Sequence, residues 1–205
     1  GLPQPEKESR MKRVEAVNDC VIKFANVNGS GSASANELFP GAILRMGVPV
    51  SPRNIFPSNI QGLPTWYEVR VTEQGHLGRR GGVDLMVAMN PQTWNQDVKE
   101  IEPGGYLFYD NTKPLPKSKF REDINVIGMP LTEISNTTYT DARERQLFKN
   151  IIYVGALAAL LDMDPGVIAE LIGEQYKGKE KLLKPNLNAL QMGLNWAREH
   201  LKDAM

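Results

Sequence analysis

Cysteine, histidine and net charge are what this sequence has least of. Its 205 residues include one cysteine and two histidines, and 24 basic side chains balance 24 acidic ones. The single cysteine, Cys20, excludes an internal disulfide, a cysteine-ligated zinc and iron–sulfur ligation within the chain. It falls in an apolar run and reads as a small buried hydrophobe. His76 and His200 are remote from Cys20 and from each other, and neither a nucleophile–base–orienter set nor metal-ligand spacing is visible. Zero net charge supplies no bulk attraction to nucleic acid or to an anionic membrane. No apolar run approaches the roughly 18 residues of a membrane span, and no signal-peptide pattern is present. The expectation is a cytoplasmic protein with no nucleic-acid or membrane partner, no catalytic residues and no metal ligands of its own.

What is there begins with 41% apolar residues, enough to bury one good core. Residues 1–17 are expected to be a flexible tail and 18–205 a single α/β domain. Its organising stretch runs from Phe24 to Asn36. Cys20 to Phe24 predicts a buried strand, and Leu38, Ala42, Ile43 and Met46 recur at helical spacing between Glu37 and Met46. A strand, a glycine-bearing turn and a helix opening near Ser34 form a geometry in which backbone N–H groups face an anion. Gly29 and Gly31 permit positive φ and close approach, and the small Ser30, Ser32 and Ala33 keep that approach open. Two sharper readings fail. A triphosphate-binding loop needs Lys-Ser/Thr at its helix start, which is lacking. A dinucleotide fingerprint needs an acid about twenty positions on, where Val48 to Ser51 stand. An anion cradle without an assigned ligand remains, and so does a plain strand-to-helix connection.

Further along, Gly47 to Val50 predicts a short strand, and Ser51 to Pro64 a loop whose Ser58, Asn59, Gln61 and Gly62 offer polar groups and a close-fitting turn. Thr65 to Thr72 alternates, with Tyr67, Val69 and Val71 on one face, as a half-exposed strand near a sheet edge or at an interface would. His76, Arg79 and Arg80 read as solvated turn residues. Val83 to Met89 is the near-continuous apolar run of a parallel strand covered on both faces. A helix through Trp94 to Lys99, a buried run Tyr106 to Tyr109, a basic Pro-rich loop Lys113 to Lys119 and a strand Asn125 to Met129 follow. The rest is helical: Asp141 to Leu161, then Asp164 and Pro165 as cap and first-turn proline for a helix through Tyr176. Pro185 is expected to open the last helix, with Leu187, Leu190, Leu194, Ala197 and Leu201 as its core stripe. This order predicts an α/β fold, a three-layer Rossmann/flavodoxin-like sandwich with a mostly parallel sheet and a helical C-terminal third. Asn26, Asn28, Asn90 and Asp110 should gather at its carboxyl edge. Asp84, Asp110 and Glu68 read best as structural acids.

Taken together, Phe24 to Asn36, Phe56 to Arg70, Asp84 to Pro91, Pro103 to Gly105 and Lys149 to Leu157 resemble the gamma domain of the 2-oxoacid:ferredoxin (2-oxoacid:acceptor) oxidoreductases. The likeness is greatest to the version fused at the N-terminus of the alpha subunit, and it covers roughly residues 18 to 200. The resemblance implies a component of a complex that oxidatively decarboxylates a 2-oxoacid to its acyl-CoA, passing electrons to ferredoxin or a similar acceptor. It implies thiamine diphosphate and iron–sulfur clusters on the alpha and beta partner components, and coenzyme A binding here. Asn28, Gly29, Ser30, Gly31, Ser32 and Ala33 would line the coenzyme A site, with Ser58, Asn59, Gln61 and Gly62 as a second loop. The isolated chain would be inactive, and Trp66 would lie at or near an inter-component interface. An independent small α/β nucleotide-binding enzyme and an interaction scaffold whose loop holds nothing are the competing readings.

Overall fold

The structure is a computed structural model and describes residues 20–55, 60–71 and 82–204. Strand β1 (Cys20–Val27) leads to helix α1 (Ser32–Arg45), strands β2 (Val50–Ile55), β3 (Pro64–Val71) and β4 (Val83–Ala88), and helix α2 (Trp94–Glu100). Strands β5 (Ile101–Asp110) and β6 (Asn125–Met129) follow. Helices α3 (Leu131–Thr138), α4 (Ala142–Leu160), α5 (Pro165–Gln175) and α6 (Glu180–His200) complete the chain. The sheet order is β2-β3-β1-β4-β5-β6, and β3 alone runs against the others. The predicted mostly parallel α/β architecture is therefore what the chain adopts.

Alternation along the strands sorts the core into two. Ile22, Phe24, Leu85, Val87, Phe108 and Ile127 face α1 and α3 to α6 in the larger cluster. Val21, Ala25, Met86, Ala88 and Leu107 point the other way, onto Trp94 and Val98 of α2 in the smaller one. Successive side chains in a strand alternate sides, so a strand buried on both faces belongs at the centre of a covered sheet. α4 and α6 pack with almost no space between their backbones. A Cβ on Gly155 would stand 2.2 Å from the Leu190 carbonyl oxygen, and one on Gly193 would stand 1.8 Å from that of Ile152.

Four expectations need correction. β3 is not half exposed: Trp66, Tyr67, Glu68, Val69 and Val71 are all buried. Its alternating charges are paired inside, because β2 covers it as the edge strand. The exposed Pro52 and Arg53 on β2 discourage further strand pairing at that edge. Ser51 to Ile55, expected as loop, is strand for that reason. Trp66 belongs to the smaller core, where its indole N–H donates to the Asp97 carboxylate at 2.8 Å; an interface role for it does not follow. Finally, Pro185 lies inside α6, which opens at Glu180. A proline withholds one N–H, and Leu183 ahead of it already packs on the core.

Candidate functional site

β1 and β4 are adjacent and parallel, but their exits diverge. β1 feeds α1 on the larger-core face, and β4 feeds α2 on the other face. Such a switch point opens a crevice beyond the carboxyl ends of the strands. The Met89 N–H donates to the Ala25 carbonyl at 2.9 Å, and Asn90 Nδ2 to that of Asn26 at 3.4 Å. Asn26 and Asn90 are buried, so both support the crevice and neither lines it. Asp110, one strand further, is occupied in capping: its carboxylate accepts from Thr112 and from Thr132 at the start of α3. Glu68 accepts from Arg70 and Arg53, and Asp84 from the Val21 N–H. The three acids are structural, as read from the sequence.

The two sequence-predicted loops meet. The Asn28 N–H donates to the Leu63 carbonyl at 2.8 Å, and the Gly62 N–H returns a bond to the Asn28 carbonyl at 3.0 Å. Asn28 Nδ2 donates to the Ile60 carbonyl at 2.8 Å. Gly29, at φ 85°, is so close to the second loop that a Cβ there would stand 2.8 Å from Gln61 Cγ. Asn28, Gly29, Gln61 and Gly62 are thus one unit. Ser58 and Asn59 lie outside the described residues, as do His76, Arg79 and Arg80.

Beyond Gly29 the chain turns once more. The Ser30 N–H donates to the Val27 carbonyl at 3.1 Å, while its hydroxyl is buried with no hydrogen-bond partner. Gly31 takes the left-handed conformation (φ 79°, ψ 8°) and caps α1 without any side-chain bond. The helix opens at Ser32, two residues before the expected Ser34, because the left-handed glycine ends the turn there. No acid stands in its first turn. Ser32 is buried and Ala33 exposed. First-turn N–H groups have no partner within a helix, and the helix dipole favours negative charge there.

Behind the loop stands α4, which sequence reasoning missed as part of the site. Asn150 Nδ2 donates to the Ser30 carbonyl at 3.0 Å. Tyr153 donates its hydroxyl to Asn36 Oδ1 at 3.1 Å and accepts from Asn26 Nδ2 at 3.5 Å. Burial pushes the Tyr153 phenol far above its ordinary pKa, so it stays neutral. The signal in the sequence was that Asn150 and Tyr153 interrupt the otherwise apolar half of the helix that follows Lys149.

The sheet order and the glycine loop at its switch point define a Rossmann-like α/β domain. From residue 21 to residue 196 the chain matches the family model described as Pyruvate ferredoxin/flavodoxin oxidoreductase, and it belongs to that family. It is 23% identical to 2-oxoacid:ferredoxin oxidoreductase 2, subunit alpha, of Aeropyrum pernix, over 88% of this chain and 34% of the relative. It is 24% identical to indolepyruvate oxidoreductase subunit IorB of Archaeoglobus fulgidus, over 86% of this chain and 94% of the relative. Among solved structures, the 2-oxoglutarate:ferredoxin oxidoreductase of Magnetococcus marinus, with 2-oxoglutarate, coenzyme A and succinyl-CoA bound, superposes with a TM-score of 0.76. The identity is 25%, over 89% of this chain and 31% of that one. Pyruvate oxidoreductase subunit PORC of Thermotoga maritima shares the fold, with a TM-score of 0.70 at 18% identity over 86% of this chain and 95% of that one. The chain therefore spans about a third of its alpha-subunit relative and nearly all of the shorter subunits. By their names these relatives are components of an oxidoreductase enzyme.

Proposed function

We propose that this chain is the gamma component of a 2-oxoacid:acceptor oxidoreductase complex. That complex oxidatively decarboxylates a 2-oxoacid to its acyl-CoA and passes electrons to ferredoxin or a similar acceptor. Thiamine diphosphate and iron–sulfur clusters reside on the alpha and beta partner components, and this chain contributes coenzyme A binding and subunit packing. No described helix is long and apolar enough to cross a membrane, and the reading places the complex in the cytoplasm.

The observation that carries the coenzyme A assignment is the buried, unpartnered Ser30 hydroxyl beside a helix start that no side chain caps. A phosphate group offers acceptors to both. A buried hydroxyl without a partner is costly, so a ligand oxygen that completes it gains on binding. A Cβ on Gly31 would stand 3.3 Å from Leu147 Cδ1, so the glycine lets the loop lie close on α4, and the absence of a first-turn carboxylate leaves the helix start free of like charge. The chain binds and orients the co-substrate, and the carbon chemistry takes place on the partner components.

The test uses the assembled complex and equilibrium titration with coenzyme A. Ser30→Ala removes a hydroxyl that bonds nothing in the chain, so stability should hold while affinity falls about three- to tenfold. Ala33→Asp puts a carboxylate at an exposed first-turn position. It should stabilise α1 through the dipole yet weaken coenzyme A about tenfold. Unchanged affinity in both variants would overturn the assignment.

A further inference from the structure

One turn of α4 touches the glycine loop before, within and after its bend, although it takes no part in the proposed ligand contacts. Tyr153 bonds Asn26 ahead of the loop and Asn36 behind it. Between them Asn150, itself buried, donates from Nδ2 to the Ser30 carbonyl at 3.0 Å and to the Gln146 carbonyl at 3.2 Å.

In a planar trans peptide the carbonyl and the following N–H point in opposite directions. Holding the Ser30 carbonyl against α4 therefore turns the Gly31 N–H away from α4. Two residues earlier the Asn28 carbonyl accepts from the Gly62 N–H, so the bend is tied on either side of Gly29. Flipping the Ser30–Gly31 peptide changes ψ of Ser30 and φ of Gly31, and glycine accepts either sign of φ at little cost. The glycine that lets the loop lie close on α4 thus makes this peptide free to turn, and a bond from outside the loop is needed to fix it.

We propose that Asn150 is a positioning residue for the anion site: its carboxamide locks the Ser30–Gly31 peptide in the orientation that presents the Gly31 N–H together with the first N–H groups of α1. This rests on the coenzyme A reading above. An amide suits the position because it donates to a carbonyl at any working pH. A carboxylate of the same shape would place oxygen against oxygen, and only its protonated form can donate.

The test measures coenzyme A binding to the assembled complex by equilibrium titration. Asn150→Leu should weaken it roughly tenfold, the equivalent of one lost orienting hydrogen bond, with the KM for the 2-oxoacid unchanged. Asn150→Asp should bind coenzyme A more weakly still at neutral pH and recover as pH falls, when the acid protonates and donates to Ser30 again. The wild type should show no such recovery. If Asn150→Leu does not assemble, the pH response of the Asp variant decides alone, since one sample serves as its own folding control. Wild-type affinity across the pH range in Asn150→Asp would overturn the lock. Should Ala33→Asp weaken coenzyme A binding while Asn150→Asp does not, the lock falls and the site stands. Should neither change it, the site assignment falls as well.

Discussion

The two faces of the sheet are held by different physics. On the larger face, rings and aliphatic side chains interlock: Phe24 meets Phe39 edge-on at 5.6 Å and stacks on Tyr153 at 6.1 Å. Long helices bring enough apolar stripe to cover that face without directional help. On the smaller face the cover is α2, only 7 residues long, and polar groups are buried within it. Asp97 accepts from the Trp66 indole at 2.8 Å and from Thr93 Oγ1 at 2.7 Å. Lys23 bonds Glu100 at 2.9 Å and lies 5.7 Å above the Trp66 ring. Glu68 accepts from Arg70 at 2.7 Å. A two-turn helix buries too little to hold its own position, so side-chain bonds pin it to β1 and β3. Area holds one face, and bond direction holds the other.

The contrast breaks most sharply at the α4–α6 contact behind the larger core. Gly193→Ala would push a methyl group to within 1.8 Å of the Ile152 carbonyl oxygen, and backbone cannot give way as a flexible side chain can. The helices must part, at a loss of about 3 kcal/mol in urea unfolding. A loss under about 1 kcal/mol would mean that they slide past each other and that this packing is adaptable.

Next comes the smaller face. Asp97→Ala strands the Trp66 N–H and the Thr93 hydroxyl and should lose about 2 to 3 kcal/mol. Asp97→Asn keeps an acceptor for Trp66 and should lose less. If the two variants were equal, the face would be held by area after all. The pH dependence sharpens the point. Burial pushes the Asp97 carboxyl above its ordinary pKa; the bonds from Thr93 and Trp66 oppose this, Glu100 adds to it and Lys23 opposes it. An acid with a raised folded pKa binds more protons folded than unfolded, so its contribution is present below the ordinary value of about 4 and is lost as pH rises through the raised one. Wild type should therefore lose stability relative to Asp97→Asn as pH climbs through that window. A flat difference would show that Asp97 titrates normally.

A smaller effect is expected at Tyr153, a fully buried phenol of the larger face. Tyr153→Phe keeps the ring against Phe24 but leaves Asn36 Oδ1 without its donor, for about 1 to 2 kcal/mol. A neutral result would assign Tyr153 wholly to packing. Smallest of all, Ser30→Ala should leave unfolding within about 0.5 kcal/mol, because its hydroxyl has nothing to lose in the chain.

Where local chemistry was strong, sequence and structure agree closely. β6 spans Asn125–Met129 as its apolar run predicted, and α4 opens after the Asp141 cap, whose side chain accepts from the Arg143 N–H. The Asp164 and Pro165 pair starts α5 by the same means. The two site loops were readable as loops, but their meeting was not, since Asn28 and Gly62 are joined by bonds that no local pattern encodes. β3 misled because its charges alternate as those of an exposed strand do. Glu68 is buried and paired with the half-buried Arg70 and, from the surface, with Arg53.

The sequence by itself determined the family, the order of strands and helices, and the glycine turn ahead of α1, because these rest on motifs, periodicity, caps and φ preferences that act within a few residues. Tertiary structure alone decided which strand was covered, that Trp66 faces Asp97, and that Asn150 and Tyr153 stand behind the loop. Those contacts join residues 31, 120 and 127 positions apart, and only sheet order and helix packing bring such distant side chains within hydrogen-bonding reach.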